Sequence, residues 1–237
     1  MCLKLTRYAI LVTFFGAFGY YLCVLLNPAK TVIKPFLIKS IIGRFNLSGV
    51  SESASSLFWS AYSSTYYMGA VAGSVIIYPL AETLGRKDAA LTANGLIIIC
   101  GAFLSFSARY ADSFELLYLG GLITGINRGL LGIIPIFMAE CAPNEIRGYI
   151  GSISTAVIYC LDGFGMIVAQ PVLMGRENTW HFMYLPGVVA GFIAVCLRWV
   201  IPESPKYAFI TEADEEKAIN SMKFYEEIDE KRKQFKS

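Results

Sequence analysis

Two charged side chains stand where the sequence is otherwise apolar. Arg128 lies near the middle of the apolar run 116–138, and Asp162 near the middle of the run 149–173. A charge at the centre of a membrane helix costs ~2.5–3.5 kcal/mol on insertion scales, so such a residue faces protein or water rather than lipid. If the two runs are antiparallel neighbours, a rise of ~1.5 Å per residue brings both charges to a similar depth. An Arg128–Asp162 pair would offset much of either cost, whether it lines a central cavity or only ties two helices together. Tyr20, Tyr21 and Tyr159 lie in similar surroundings. Tyrosine can hydrogen-bond a hydroxyl-rich solute and stack on its ring; packing between helices is the other role open to each.

Residues for covalent chemistry are absent from the pattern. His181 is the single histidine and sits beside Trp180, which suits anchoring at a membrane interface. No Ser/His/Asp set, metal cluster or phosphate-binding glycine loop is present, so neither an enzyme nor a cofactor is expected. The six cysteines, Cys2, Cys23, Cys100, Cys141, Cys160 and Cys196, fall in or beside apolar runs without metal-ligand spacing, which suits buried inert thiols.

The elements that must position these groups are membrane helices. Apolar residues make up 55% of the chain and charged ones 16%, a membrane composition. The net charge of +2, with no basic stripe outside the tail, excludes a nucleic-acid partner. Six runs are long enough to span a bilayer: 8–26, 56–80, 89–108, 116–138, 149–173 and 183–201. The first is too long for a signal peptide and lacks a cleavage site. Gly121, Gly125 and Gly129 share one helix face, as do Gly69 and Gly73, and each face admits a close neighbour.

Six crossings put both termini on one side. Twelve basic residues fall on that side, seven of them in the tail, against six on the other, which favours cytoplasmic termini. The sequon Asn46-Leu47-Ser48 then lies outside, where Asn46 could be glycosylated. The connection 27–55 reads as a partly ordered surface segment. Residues 1–205 form the membrane domain and 206–237 a tail. In the tail Thr211 can cap an amphipathic helix with Ile219, Met222 and Tyr225 on one face, and Glu227–Lys231 and Asp229–Lys233 pairs add support.

Several short motifs are similar to those of the sugar porters of the major facilitator superfamily, close to the animal facilitative hexose transporters. Phe18-Gly19-Tyr20 followed by Asn27-Pro28-Ala29-Lys30-Thr31-Val32-Ile33 resembles the family's FGY…NxPxxVI segment. Glu82 with Gly85-Arg86-Lys87 resembles the D/N-x-x-G-R-R/K loop. Glu140 to Pro143 with Arg147-Gly148 resembles E-x-x-P…R-G, and Pro202 to Lys206 resembles PESPR. There are departures. The family's GRF triplet is Gly120-Gly121-Leu122 here, with Arg128 two turns on. The substrate-binding glutamine falls on Thr155, and Ala169-Gln170 is further along than the family spacing. The aspartate of proton-coupled relatives is Tyr21.

The resemblance implies the N-terminal half of the fold: an all-α membrane protein of six transmembrane helices in two three-helix repeats, with an amphipathic cytoplasmic C-terminal helix. It implies facilitative movement of a hexose by alternating access through a multi-pass protein of the plasma membrane. The partners would be the bilayer, a small carbohydrate, and a second six-helix half or a further copy of the chain. Cavity residues would be Phe18, Tyr20, Tyr21, Arg128, Thr155, Tyr159 and Asp162. Glu82, Arg86, Lys87, Glu140, Arg147 and Glu203 would form gating charges, paired as Glu82–Arg86 and Glu140–Arg147. A sugar sensor, a regulator of full-length relatives and an inactive product remain as other readings.

Overall fold

The computed structural model describes residues 3–211 and 214–226, and these contain helices and no strand. The helices are α1 (Leu3–Gly16), α2 (Gly19–Val24), α3 (Lys30–Phe45), α4 (Glu52–Thr83), α5 (Asn94–Ser107), α6 (Phe114–Leu130), α7 (Ile133–Cys141), α8 (Arg147–Val168), α9 (Leu185–Leu197), α10 (Pro205–Ile210) and α11 (Glu215–Glu226). A π-helical turn, Asp88–Ala93, leads into α5, and a 3₁₀ turn, Trp180–Tyr184, into α9.

Among the described residues five stretches are long and apolar enough to cross a membrane: Leu5–Val24, Asp88–Ser107, Phe114–Cys141, Arg147–Val168 and Trp180–Leu197. Six were expected. The unmatched run, 56–80, lies in α4, which has 32 residues but is diluted by Ser60, Ser63, Ser64, Thr65 and Ser74.

Glycines decide how α4 meets α6. A Cβ at Gly69 would collide with the Leu122 carbonyl oxygen, and one at Gly73 with that of Ile126. From the other side, Gly125 lies against the Tyr66 carbonyl and Gly129 against that of Ala70. The two glycine rows of the sequence therefore face each other, and the backbones touch. A second close contact joins α5 to α9, where a Cβ at Gly95 would lie 2.9 Å from the Gly191 carbonyl oxygen.

Two of the membrane-length stretches are broken. Pro135 has no N–H for the Leu131 carbonyl, so the helix ends at Leu130 and Ile134 N–H reaches that oxygen at 3.3 Å in a tighter turn. The first stretch breaks between Gly16 and Gly19. There the freed Gly16 carbonyl accepts from Asn94 Nδ2 at 2.7 Å.

The connection 27–55 differs from its expected form. Its centre is α3, a 16-residue helix, because Ile33, Phe36, Leu37 and Ile41 recur at helical spacing and are buried. Ser40 pins α3 to the chain before α6: its Oγ donates to the Asp112 carbonyl at 2.7 Å and accepts from Phe114 N–H at 3.0 Å.

The tail also differs in detail. Thr211 ends α10, and the cap of α11 is Asp214, whose Oδ1 accepts from Lys217 N–H at 2.9 Å. Ala218, Ser221 and Tyr225 form the buried face of α11, while Ile219 and Met222 are exposed at its edge. Tyr225 donates to the Pro202 carbonyl at 2.9 Å. The expected pairs Glu227–Lys231 and Asp229–Lys233 lie outside the described residues, as does Cys2. The five described cysteines carry no disulfide, and Cys100, Cys160 and Cys196 are exposed rather than buried because they lie on outward faces of their helices.

Candidate functional site

Arg128 occupies the last turn of α6, where the helix's negative end favours a cation. Its guanidinium carbon stands 3.7 Å from the centroid of the Tyr20 ring, a cation–π stack between α6 and α2. Tyr66 and Cys23 complete its surroundings. Asp162, on α8, feels the Arg128 charge, yet no ion pair joins them among the described residues. Asp162 Oδ1 is closed from solvent with no hydrogen-bond partner. The expected pair is thus not closed, because the guanidinium rests on Tyr20 instead.

The other cavity candidates divide by helix face. Phe18 and Tyr21 are buried; their rings lie 4.8 Å apart, and Tyr21 donates to the Met183 carbonyl at 2.8 Å. They pack the core, since positions 18 and 21 lie on a different helix face from 20. Thr155 and Tyr159 are exposed, on a stripe of α8 shared with Gly148, Ser152 and Gly163. The Thr155 hydroxyl donates to its own helix at Gly151, 3.0 Å away. A Cβ at Gly148 or Gly163 would meet nothing within 4 Å, so this polar stripe is open.

Two residues of this region were not singled out in the sequence. Asn127 Nδ2 donates to the Asn94 carbonyl at 3.0 Å and also to Asn94 Oδ1. With the Asn94–Gly16 bond, these amides tie α6, α5 and the α1–α2 break together in a fully buried chain. An amide inside each of two apolar runs was the available signal.

The gating charges gather at the end of the bundle that carries Pro202, but with other partners than expected. Arg86 Nε lies 3.7 Å from Glu140 Oε2, Arg86 donates to the Ala81 carbonyl at 3.2 Å, and its guanidinium stacks on Tyr207 at 4.9 Å. Ser204 Oγ donates to Glu140 Oε2 at 2.8 Å. Glu82 contributes only its carbonyl, accepting from Tyr207 Oη at 3.1 Å, and Arg147 donates to the Ala139 carbonyl at 2.9 Å. The expected Glu82–Arg86 and Glu140–Arg147 pairs are therefore replaced by Arg86–Glu140, because α10 brings Tyr207 and Ser204 between the loops. A further pair, Arg198–Asp88 at 2.9 Å, stands nearby. Beside the cluster Ile136, Glu140, Arg147, Phe209, Ile219 and Met222 line a groove of about 850 Å³.

Glu203 is buried and held by backbone. Its Oε1 accepts from Lys87 N–H at 2.9 Å and from Ser204 N–H at 2.8 Å, while Gly85, at φ +91°, leaves room for its other oxygen. Burial raises the Glu203 carboxyl above its ordinary pKa; the two amides and the Lys87 charge oppose the rise only in part. A raised folded-state pKa favours the protonated form, so this contribution is full below the ordinary carboxylate range and is lost as pH rises through the folded value. Glu203→Gln is expected to remove that pH dependence and to keep both amide bonds. Glu203→Ala strands two buried amides, at about 1–3 kcal/mol each. Thermal unfolding of purified protein from about pH 4 to about pH 8 checks both; equal loss in the two variants contradicts the assignment.

Residues 11–237 match the family described as "Sugar (and other) transporter". The chain belongs to this family. It is 30% identical over 210 residues to human solute carrier family 2, facilitated glucose transporter member 9, covering 88% of this chain and 38% of that protein. Against facilitated glucose transporter protein 1 of Caenorhabditis elegans the identity is 29%, covering 94% and 43%. The inward-open structure of the xylose transporter XylE from E. coli superposes with a TM-score of 0.73 at 17% identity, covering 94% of this chain and 56% of that one. The chain spans about two fifths of the length of these curated relatives. These relatives are named as sugar transporters, and this chain, with five described stretches long and apolar enough to cross a membrane, is a membrane protein of their family.

Proposed function

We propose that this chain supplies one six-helix half of a facilitative hexose carrier that works by alternating access. The observation that carries this reading is the mid-span centre of Arg128, Tyr20 and Asp162, set beside the open polar stripe of α8, in a chain matching the family over residues 11–237. A polar stripe in the middle of a membrane helix is costly against lipid and suits a water-filled route between two bundles.

In this reading α4 is the sixth crossing, and the helices group as two three-helix repeats. Both termini are cytoplasmic, residues 206–237 form a cytoplasmic tail, and the protein resides in the plasma membrane. The stripe faces a second six-helix bundle, from a longer chain or a second copy. The Arg86–Glu140–Ser204 cluster then latches the cytoplasmic ends in one state and opens in the other. Asn46 ends α3 at φ 50° on an exposed outer segment, where an oligosaccharyltransferase could reach it; loss of a glycosidase-sensitive mass shift in Asn46→Gln is the expected mark.

Proteoliposomes containing the purified protein are expected to take up radiolabelled D-glucose or D-fructose to equilibrium, faster than empty vesicles and without a proton gradient. Saturable binding with uptake at the level of empty vesicles would replace the carrier by a sensor.

A further inference from the structure

The two helix breaks differ in kind. Pro135 makes the one at Leu131 permanent, because it has no N–H to give. Residues 13–24 contain no proline, so the chain itself permits one helix from α1 through α2. Tyr20 N–H closes a tight turn on the Ala17 carbonyl at 3.0 Å. In a continuous helix it would bond the Gly16 carbonyl, four residues back. That carbonyl instead accepts from Asn94 Nδ2 at 2.7 Å.

The partner amide is only half used. Asn127 Nδ2 donates to the Asn94 carbonyl at 3.0 Å and to Asn94 Oδ1, which fixes the way this amide points. Its own Oδ1 is closed from solvent, has no donor among the described residues, and lies against Gly19 inside the break. Both asparagines are completely buried. An unmet acceptor in such a place is costly. Two primary amides can remove that cost between themselves, each donating to the oxygen of the other.

We infer that Asn94 and Asn127 form a two-position switch for the α1–α2 break. In the position seen here Asn94 Nδ2 holds the Gly16 carbonyl and Asn127 Oδ1 goes without a donor. In the other position Asn94 Nδ2 turns to Asn127 Oδ1 while Asn127 Nδ2 keeps Asn94 Oδ1, and the two amides close a ring of two hydrogen bonds. The Gly16 carbonyl then takes Tyr20 N–H, and α1 and α2 become one helix. A helical carbonyl points along the helix axis, away from a side chain arriving from α5, so the two bonds to Gly16 compete. Each position supplies a partner that the other lacks, which keeps the two close in free energy. Widening the turn from three residues to four rotates α2 about its axis. That carries the Tyr20 ring off the Arg128 guanidinium, whose carbon stands 3.7 Å from the ring centroid in the broken form. The use of this switch in transport rests on the carrier reading; its existence does not.

Fluorine NMR of the purified full chain in nanodiscs, with a ring-fluorinated tyrosine at position 20, reads the two placements of the ring. Asn94→Leu strands the Gly16 carbonyl only in the broken form, so it should raise the continuous form relative to the broken one by about fivefold or more. Asn127→Ala leaves the Asn94–Gly16 bond but removes the amide ring, so it should move the same ratio the opposite way by a similar factor. Asn94→Ala, which adds no bulk, takes the place of Asn94→Leu if that variant fails to fold. Opposite movements, as two resonances or as one averaged position, support the switch. Movement in the same direction, or in fewer than both variants, overturns it. No sugar enters the measurement: opposite movements without vesicle uptake leave the switch standing and remove the carrier, while uptake with an unmoved spectrum does the reverse.

Discussion

Gly125→Leu is expected to abolish the folded protein, with the monodisperse fraction in detergent falling to background. Gly125 sits where α6 touches α4 backbone to backbone. A Cβ there would collide with the Tyr66 carbonyl oxygen and lie 3.1 Å from the Gly69 Cα. These neighbours are main chain, so no rotamer change can make room. Overpacking a core position costs about 1–3 kcal/mol when side chains can shift. Here two long helices must separate instead, and the facing contacts at Gly69, Gly73 and Gly129 are lost with the first. Gly148→Ala is the control. A Cβ at that position meets nothing within 4 Å, and alanine is favoured over glycine in a helix by up to about 1 kcal/mol. Size-exclusion of a fluorescent fusion separates the outcomes. Gly125→Leu running as wild type would mean that α4 and α6 are not packed through these glycines.

Those glycines also mark how far the sequence could be read. Spacing alone puts Gly121, Gly125 and Gly129 on one face and Gly69 and Gly73 on another, because helical period is a local property. That the two faces meet each other is a tertiary fact, and Gly121 in the event contacts the Tyr62 ring rather than backbone. The break at Leu131 was available in Pro135, whose missing N–H is a property of one residue. By contrast, the break at Gly16–Gly19 depends on Asn94, which arrives from a different helix. Arg128 and Asp162 were legible as intramembrane charges, since any charge in an apolar run stands out. Their failure to pair was not, because it depends on where the Tyr20 ring lies. The gating residues follow the same division: their end of the bundle could be read from loop positions, but the partner of Arg86 could not. Glu82 and Glu140 are both acidic residues in the last turns of their helices and near it in the topology. Only the placement of α10, with Ser204 and Tyr207, selects Glu140.

Asn94→Leu is the second large effect expected. Asn94 is completely buried and its side chain is used twice, as donor to the Gly16 carbonyl and as acceptor from Asn127 Nδ2. Leucine is apolar and of comparable reach, so it fills the space, strands the Gly16 carbonyl and leaves Asn127 Nδ2 only its bond to the backbone carbonyl of residue 94. A stranded buried group costs about 1–3 kcal/mol, a large part of the stability of most domains. Asn127→Leu should cost less on the Gly16 side, because the Asn94–Gly16 bond survives, but it must also fit against Gly19, which already contacts Asn127 Oδ1. Replacing both amides removes the donor–acceptor mismatch between the two side chains, so the double change should be milder than the sum of the single ones by about 1–2 kcal/mol. Thermal unfolding of the four proteins closes this cycle, and strict additivity would mean the amides act independently. The consequence extends to the centre of the bundle. The Asn94–Gly16 bond holds the α1–α2 break open, and Tyr20 lies one residue beyond Gly19 on the far side of that break. Relaxing the break moves the ring on which Arg128 rests. Asn94→Leu is therefore expected to slow the D-glucose uptake of proteoliposomes even under conditions where the variant remains folded.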